Sequence, residues 1–366
     1  MVRIGRPGAG TSLTVFSLAV FLIAAGSLLP PLRAAACPAA APPPQDPLAE
    51  LLRKQREIAF IGERFQTSVS SRPEREDRVF RQRIRHNPPS DYRIDFLDLP
   101  DEDEYHVLVT GEKLYEWDER DRVQVRERSD DQTLGLVISD TYLDLLRKNY
   151  LIEAELGPEV ADRRTYTVRI DPLYPGRPAI RAWIDSTYGV PLKVEVYTDR
   201  GQLQARYEYT RIYFRSRLDR ARFDPPAEPE PRTRRGVRCE TPDAFLDETG
   251  QHPPLADRLP AGFSLVWIRQ GVMRQRDGGE QPFIQSFYSD GYASFSIFAE
   301  QEHPGGPEET GEEGLREVRS GQRGWFNYAV GWIENTKVTV TGDVGEAELV
   351  EVLSSVKLEG QPPLIP

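Results

Sequence analysis

The residue types that most often carry catalysis or metal binding are sparse in this chain. Its four histidines are His86, His106, His252 and His303, and its two cysteines are Cys37 and Cys239. No two histidines have the spacing of metal ligands, and no cysteines form a CxxC pair. The sequence therefore predicts no metal centre, no cofactor and no catalytic Cys/His pair.

The sequence motifs of common enzyme classes are also absent from the 366 residues. No GxSxG, HExxH, P-loop or GxGxxG motif occurs. Carboxylates are clustered at residues 101–104 and at Asp130 and Asp131. These clusters lie in predicted turns, where no apolar surroundings would raise a pKa, so they are interpreted as solvated turns rather than acid–base pairs. The chain is predicted to be a binding protein and not an enzyme.

An apolar strand face is the strongest functional feature. Many runs alternate apolar and polar residues, so one face of the predicted sheet collects aromatic and aliphatic side chains. The side chains predicted to line it are Phe60, Phe80, Ile94, Phe96, Tyr166, Val168, Ile180, Ile184, Val194, Val196 and Tyr207. Two interpretations stay open. The face is either a closed core packed by helices or a partly covered cleft for acyl chains.

Residues 179–214 show the strand pattern most clearly. They are predicted to form three strands joined by two short turns. The first strand ends at Asp185, the second runs from Leu192 to Tyr197, and the third starts at Gln202. Trp183 falls on the opposite, more polar face, where a second surface or a domain contact is expected.

About eleven such strands are predicted over residues 58–214, with helices at residues 46–57 and 141–149. An antiparallel sheet with this many strands is expected to curl into a barrel or half-barrel. The predicted fold class is α+β. A curved antiparallel half-barrel sheet wrapped on helices, in a domain at residues 46–223, is followed by a smaller α+β domain at residues 255–358.

A Pro/Arg-rich stretch at residues 224–254 is predicted to link the two domains. Its basic cluster, Arg232, Arg234, Arg235 and Arg238, is either solvated or docked on an acidic surface or an anionic lipid. The second domain is predicted to contain five strands and a terminal helix. Two of the strands form a hairpin around the turn Ser289-Asp290-Gly291.

The N-terminus has the pattern of a secretory signal over residues 1–36. Arg3 and Arg6 precede the apolar run Leu13–Leu29, and small residues follow at Ala34–Ala36. A membrane anchor is the alternative, although the run is short and ends in two prolines. Residues 37–45 are a predicted flexible tether. Cys37 has two open fates, which are lipidation as in bacterial lipoproteins and a disulfide with Cys239 in an oxidising compartment.

The charge balance argues against nucleic acid as a partner. The formal net charge is −11, and 29% of the residues are charged. Phosphate binding requires a basic footprint, which the bulk composition does not show.

Two stretches together resemble a known family. Residues 179–212 contain WID, then GVPLKV, then a D-x-G turn, and they are similar to the LolA-like lipoprotein-carrier fold and to the large domain of RseB/MucB proteins. The second set, LPAGFSLV, QSFYSDGYASFSIFAE and RGWFNYAVGWIENTKVTVTGDVGEAELVEVLSSV, resembles the RseB/MucB C-terminal domain. Its last strand ends Thr341-Gly342-Asp343, which matches that pattern only in part. The resemblance extends in order over most of residues 46–358.

This resemblance implies a periplasmic regulator of envelope-stress sigma factors. The large domain would sense lipid or lipopolysaccharide. The small domain would bind the periplasmic segment of a membrane-spanning anti-sigma factor, shield it from proteolysis and release it when the ligand binds. The implied partner-binding residues are Tyr288, Asp290, Tyr292, Trp325 and Tyr328. A lipid or lipoprotein carrier of LolA type is the alternative, although such a carrier would end after the first domain. A homo-oligomer is left open.

Overall fold

The computed structural model describes residues 49–50, 53–54, 57–69, 77–98, 105–111, 113–118, 123–127, 140–226, 233–234, 236–274, 279–301, 315–323, 326–333 and 335–358. Contacts divide these residues into two compact units. The first ends by residue 226 and the second begins by residue 233.

The first unit is built around one antiparallel sheet of eleven strands. The strands are β1 (Ala59–Ser68), β2 (Arg78–Asn87), β3 (Asp91–Phe96), β4 (Tyr105–Thr110), β5 (Lys113–Asp118), β6 (Gln124–Glu127), β7 (Tyr150–Leu156), β8 (Thr165–Pro172), β9 (Ala179–Asp185), β10 (Pro191–Tyr197) and β11 (Leu203–Arg215). Their order is β6-β5-β4-β3-β2-β1-β11-β10-β9-β8-β7. The predicted eleven-stranded antiparallel sheet is confirmed.

The first sheet is curved and open. Its terminal strands, β6 and β7, do not pair with each other in the described part of the chain, so the sheet is a half-barrel and not a closed barrel. Helix α1 (Asp140–Asn149) leads directly into β7. It buries Tyr142, Leu143 and Leu146, which share one side of the helix. The described residues of the predicted helix at 46–57 are helical at 49–50 and 53–54.

Local chemistry sets the turn between β9 and β10. The carboxylate of Asp185 accepts hydrogen bonds from the backbone N–H groups of Thr187 at 2.9 Å and Tyr188 at 2.7 Å. Gly189 follows with φ of 67°, a left-handed conformation that glycine adopts without steric cost. The turn predicted between these strands therefore fixes the register of the hairpin.

The second unit contains an eight-stranded sheet and a separate two-stranded sheet. Its strands are β12 (Thr233–Arg234), β13 (Arg238–Cys239), β14 (Leu255–Ala256), β15 (Ser264–Arg274), β16 (Glu280–Ser289), β17 (Ser294–Gln301), β18 (Leu315–Arg323), β19 (Phe326–Ile333), β20 (Thr336–Gly342) and β21 (Val356–Lys357). Helices α2 (Pro242–Thr249) and α3 (Glu346–Leu353) complete it. The core gathers Leu349, Val352 and Leu353 of α3 with apolar residues from β17, β19 and β20.

The second unit contains five strands that were not predicted, namely β12, β13, β14, β18 and β21. β18 was not predicted, because its residues are mostly polar and it lies at the edge of the sheet, where burial is not required. Part of the predicted linker at residues 224–254 is ordered within this unit, since β12 and β13 both pair with β15. In addition, Thr241 accepts a hydrogen bond from the N–H of Ala244 and caps α2, and Phe245 of that helix is fully buried.

The predicted signal, the tether and Cys37 lie outside the described residues. Within the described ranges, no helix combines the length and the apolar character needed to span a bilayer.

Candidate functional sites

The eleven side chains predicted to line a ligand surface all lie on one face of the first sheet, named here the ligand face. One cross-strand row runs from Val168 in β8 through Val194 in β10 to Tyr207 in β11, and it continues through Gln66 in β1 to Phe80 in β2. Residues aligned across neighbouring strands point to the same side of a sheet. The same alternation places the other predicted residues, Phe60, Ile94, Phe96, Tyr166, Ile180, Ile184 and Val196, on this face.

The ligand face is well packed. Ten of the eleven predicted side chains are buried, and Phe80 is partly exposed. Phe80 meets Phe96 edge to face, with ring centroids 5.9 Å apart. A row of apolar residues of this size supplies a large share of the stability of the unit. A cleft for acyl chains on this face stays a prediction.

Aromatic rings cluster around Phe60 at one end of β1 on the ligand face. Phe60 stacks on His86 with centroids 5.2 Å apart and meets Tyr209 edge to face at 6.2 Å. Burial lowers the pKa of His86, so its ring is neutral near pH 7, and its Nδ1 lies 2.9 Å from the carbonyl oxygen of Ile58. A neutral imidazole that donates this hydrogen bond is compatible with an apolar surrounding.

Arg64 was missed by the sequence-based prediction, although it lies in the middle of the ligand face. Its side chain is 2% exposed. Its Nε donates a hydrogen bond to Oε1 of Gln82 at 2.8 Å, and its guanidinium carbon lies 4.5 Å from the ring centre of Tyr207 and 5.9 Å from that of Tyr209. These contacts offset part of the cost of burying a charge. The signal that could have found it is strand alternation, because Arg64 is four residues from Phe60 in the same strand.

The opposite face of the same sheet, named here the outer face, carries an ion cluster around Glu63. The carboxylate accepts hydrogen bonds from Arg81 and Arg83 at 3.1 Å each and from Arg211 at 2.7 Å. Burial alone would raise the pKa of Glu63, but the three arginines outweigh it and lower that pKa to about 2.

A second ion cluster lies beside the first. Asp95 accepts hydrogen bonds from Nε of Arg93 at 2.9 Å and from Nδ1 of His106 at 2.7 Å, and it also pairs with Arg85. Burial would raise the pKa of Asp95, but these partners hold it well below its usual range. The ring of His106 stacks on Trp117 with centroids 5.0 Å apart. The part of the outer face around Glu63 and Asp95 is therefore polar and extensively ion-paired.

Trp183 lies on the outer face, as its position in β9 predicted. The ammonium nitrogen of Lys193 lies 4.4 Å from the centre of its ring. The ring of Trp183 therefore makes a cation–π contact with a residue of its own unit.

The hairpin between β16 and β17 in the second unit is built by two short side chains. Oδ1 of Asp290 accepts hydrogen bonds from the backbone N–H groups of Tyr292 at 2.9 Å and Ala293 at 2.8 Å. Oγ of Ser289 accepts from the N–H of Gly291 at 3.0 Å and donates to the carbonyl of Ala293 at 2.9 Å. Gly291 has φ of 107°, which only glycine adopts readily. The YSDG pattern is thus required by the turn.

The predicted partner-binding residues of this unit divide into inner and outer sets. Tyr288 and Asp290 are 2% and 1% exposed, and the ring of Tyr288 stacks on Phe295 with centroids 4.9 Å apart. Burial raises the pKa of Tyr288 to about 12. These two residues support the hairpin from inside. Tyr292 and Tyr328 are partly exposed, and their role in binding a partner stays a prediction. Trp325 lies outside the described residues.

Two family profiles match the chain in order. The MucB/RseB N-terminal domain matches residues 75–227, and the MucB/RseB C-terminal domain matches residues 253–357. The chain belongs to the MucB/RseB family. The family resemblance predicted from the sequence is confirmed. No curated protein sequence matches the chain.

Solved structures of MucB share the fold of this MucB/RseB chain. The Pseudomonas aeruginosa MucA/MucB complex matches with a TM-score of 0.57 and 19% identity, over 86% of this chain and 98% of that one. A structure of MucB in complex with MucA(peri) matches with a TM-score of 0.55 and 20% identity, over the same shares. A LolA superfamily protein from Nitrosomonas europaea matches 48% of this chain and 97% of that one, with a TM-score of 0.26 and 13% identity.

The two MucB/RseB matches leave parts of this chain's units uncovered. The N-terminal match begins after β1, although β1 lies between β2 and β11 near the middle of the sheet. The strand that carries both Glu63 and Arg64 therefore lies outside this match. The C-terminal match begins after α2, so β12, β13 and α2 lie outside it.

Cys239 lies in β13, in this uncovered part of the second unit. Its side chain is partly buried, and burial raises the pKa of its thiol. It forms no disulfide with any residue that the structure describes. Lipidation of Cys37 and a disulfide between the two cysteines both stay predictions. No three His, Cys, Asp or Glu side chains of the described ranges are grouped as metal ligands.

Proposed function

We propose that this MucB/RseB-family chain is a non-catalytic exported regulator that binds the periplasmic segment of a transmembrane anti-sigma factor. The observation that carries the proposal is the presence of both MucB/RseB domains in order, with a fold like that of MucB in its complexes with MucA. Export is supported by the signal pattern of residues 1–36, and the proposed compartment is the periplasm.

The partner segment binds the second unit near the hairpin of β16 and β17. Tyr292 and Tyr328 are the described aromatic candidates there, and Trp325 joins them by its place in the sequence pattern. Tyrosine and tryptophan side chains are enriched among the residues that dominate binding energy at interfaces. Ser289 and Asp290 act indirectly, because their hydrogen bonds hold the backbone of the hairpin in place.

Binding protects the partner segment by steric exclusion. A protease must take an extended substrate into its active site, and a segment held against the second unit is not free to enter one. The regulator therefore needs no catalytic group, because occupancy of the segment sets the rate of cleavage.

Release follows when an envelope lipid or lipopolysaccharide binds the ligand face of the first unit. The support for this step is the collection of all eleven predicted side chains on one face. A ligand acts as a switch only if it binds the partner-free form more tightly, and useful coupling lies in the range of about 1–3 kcal/mol. An acyl chain on the ligand face would have to displace packed side chains, which gives the first unit a conformational change to transmit.

The test is a capture experiment with the chain lacking its predicted signal (residues 38–366) and an envelope extract. Recovery of a single-span membrane protein, and its displacement by added lipopolysaccharide, is the expected result. A matched variant, Tyr292→Ala with Tyr328→Ala, should weaken capture, whereas Tyr213→Ala on the first unit, which is 56% exposed, should not. Recovery of lipid or lipoprotein without a membrane partner would favour the LolA-type carrier instead.

A further inference from the structure

Five arginines gather on the outer face of the first unit. They are Arg81, Arg83, Arg85, Arg93 and Arg211, and with Glu63 and Asp95 they are named here the arginine patch. The register makes the patch continuous, because Arg83 lies between Glu63 in β1 and Asp95 in β3. The two ion clusters described above are therefore one surface.

The arginine patch has more positive charge than its internal carboxylates neutralise. Five guanidinium groups surround the carboxylates of Glu63 and Asp95, and Asp98 also pairs with Arg81, which leaves a net charge of +2 in a chain whose net charge is −11. Three of the arginine side chains are accessible. Arg81 and Arg83 are 40% exposed and Arg211 is 55% exposed, whereas the carboxylate they share is 11% exposed.

The remainder of the outer face does not show this excess. Across β8, β9 and β10, Arg169 and Arg181 are matched by acidic neighbours that include Glu153 and Glu195. A local excess of positive charge on one half of the outer face produces a surface potential that attracts anions, although the whole chain is negatively charged.

The donors that remain on the accessible arginines are spaced apart. Arg81, Arg83 and Arg211 each use only Nη2 to bind the carboxylate of Glu63. Nη1 of Arg81 lies 3.8 Å from the exposed Asp98. Among the described residues, no hydrogen bond or ion pair uses Nη1 of Arg83 or of Arg211. The remaining N–H donors of these guanidinium groups thus lie at separate positions on the surface and do not converge on one pocket.

The spacing of these positions matches an extended peptide. Arg81 and Arg83 point to the same side of one strand, two residues apart, so their side chains start about 6.6–6.8 Å apart. Side chains at alternate positions of an extended peptide have the same repeat. A compact phosphate would be attracted to the focus of the arginines, but Glu63 already occupies that point and repels it.

We propose that the arginine patch binds an extended acidic segment of a partner protein, with carboxylates at alternating positions meeting Arg81 and Arg83 while Arg211 pairs with a flanking carboxylate. This goes beyond the proposed function, which places the partner on the second unit. The patch adds a charge-selective contact on the first unit, and its main effect is on encounter rate and choice of partner.

The test uses residues 38–366 and a fluorescent nine-residue peptide in which Glu alternates with Thr. Fluorescence anisotropy should show binding that weakens as salt is raised from about 0.05 to about 0.5 M, because exposed charges are screened. Arg81→Gln with Arg83→Gln should weaken binding about tenfold. The matched control, Arg169→Gln with Arg181→Gln, removes the same charge from the same face and should change binding less than about twofold.

Further probes separate the chemistries. A peptide with Lys in place of Glu should not bind, and vesicles rich in anionic phospholipid should bind less well than the acidic peptide at equal charge. If the double variant does not fold, the single change Arg81→Gln leaves two arginines on Glu63 and should weaken binding about threefold. The proposal is overturned if the parent does not bind the acidic peptide, if patch and control variants lose affinity equally, or if only the vesicles bind. None of these assays contains an anti-sigma factor, so their failure leaves the proposed function intact.

Discussion

Replacing Asp290 by alanine tests whether the hairpin of the second unit depends on one buried carboxylate. Its Oδ1 accepts two backbone hydrogen bonds, of 2.9 and 2.8 Å, and the residue is 1% exposed. Each hydrogen bond to a charged group contributes about 1.5–3 kcal/mol. Removing the buried carboxylate returns part of its desolvation cost and also removes its repulsion of Asp343, so the expected loss is about 2–4 kcal/mol. For a unit of this size the melting temperature should fall by roughly 8–16 °C.

Two further variants make the Asp290 prediction specific. Asp290→Asn keeps the Oδ1 acceptor and should cost only about 1 kcal/mol. Asp247→Ala removes a charge from an exposed position of α2 in the same unit and should change stability by less than about 0.5 kcal/mol. Calorimetry measures the shifts, and hydrogen exchange of residues 280–301 locates them. Equal losses for the alanine and asparagine variants, or no loss for either, would refute the assigned role of the carboxylate.

Three other outcomes are expected in the first unit. The pKa of Glu63 is lowered to about 2 from an ordinary value of 4.5, so the stability that its charge contributes is complete above pH 4.5 and is lost as the pH falls toward 2. Urea unfolding should therefore give a lower free energy of unfolding at acidic than at neutral pH, and Glu63→Gln should reduce that difference. The pKa of His86 is lowered from 6.5, so stability falls as the pH drops below 6.5; thermal unfolding should show a weaker dependence for His86→Phe. Ile180→Ala, at 1% exposure, should cost about 2–4 kcal/mol in urea unfolding, whereas Leu151→Ala, at 52% exposure, should cost less than about 0.5 kcal/mol.

Strand alternation predicted the ligand face from the sequence because its period is independent of tertiary structure. Once Ile180 and Val196 are placed on the apolar side of β9 and β10, antiparallel pairing brings them opposite each other, as observed. Arg64 follows the same alternation. It was missed because only apolar and aromatic residues were selected as candidates for the ligand face. Strand alternation assigns a residue to a face of the sheet, but it does not show what packs on that face. It therefore cannot predict whether a cleft exists there.

The second unit shows where local patterns stop being informative. The turn at Ser289, Asp290 and Gly291 was predictable because its residue types have direct backbone roles. That Tyr288 is buried was not, since a tyrosine beside a turn is found equally inside and outside. β12 and β13 are two residues long each, and only their pairing with β15 defines them as strands. Such short strands have no periodicity to detect.

The strand at the open edge of the first sheet bears on how the protein behaves at high concentration. β7 has one side of its backbone without a strand neighbour in the described sheet, and Leu151 and Leu156 are 52% and 60% exposed on it. Such an edge can extend from one molecule to the next. Glu153 and Glu155 lie on the same strand, and antiparallel contact between two copies would bring these carboxylates together. Charged side chains on an edge strand oppose such extension, so they protect concentrated protein from edge-to-edge association.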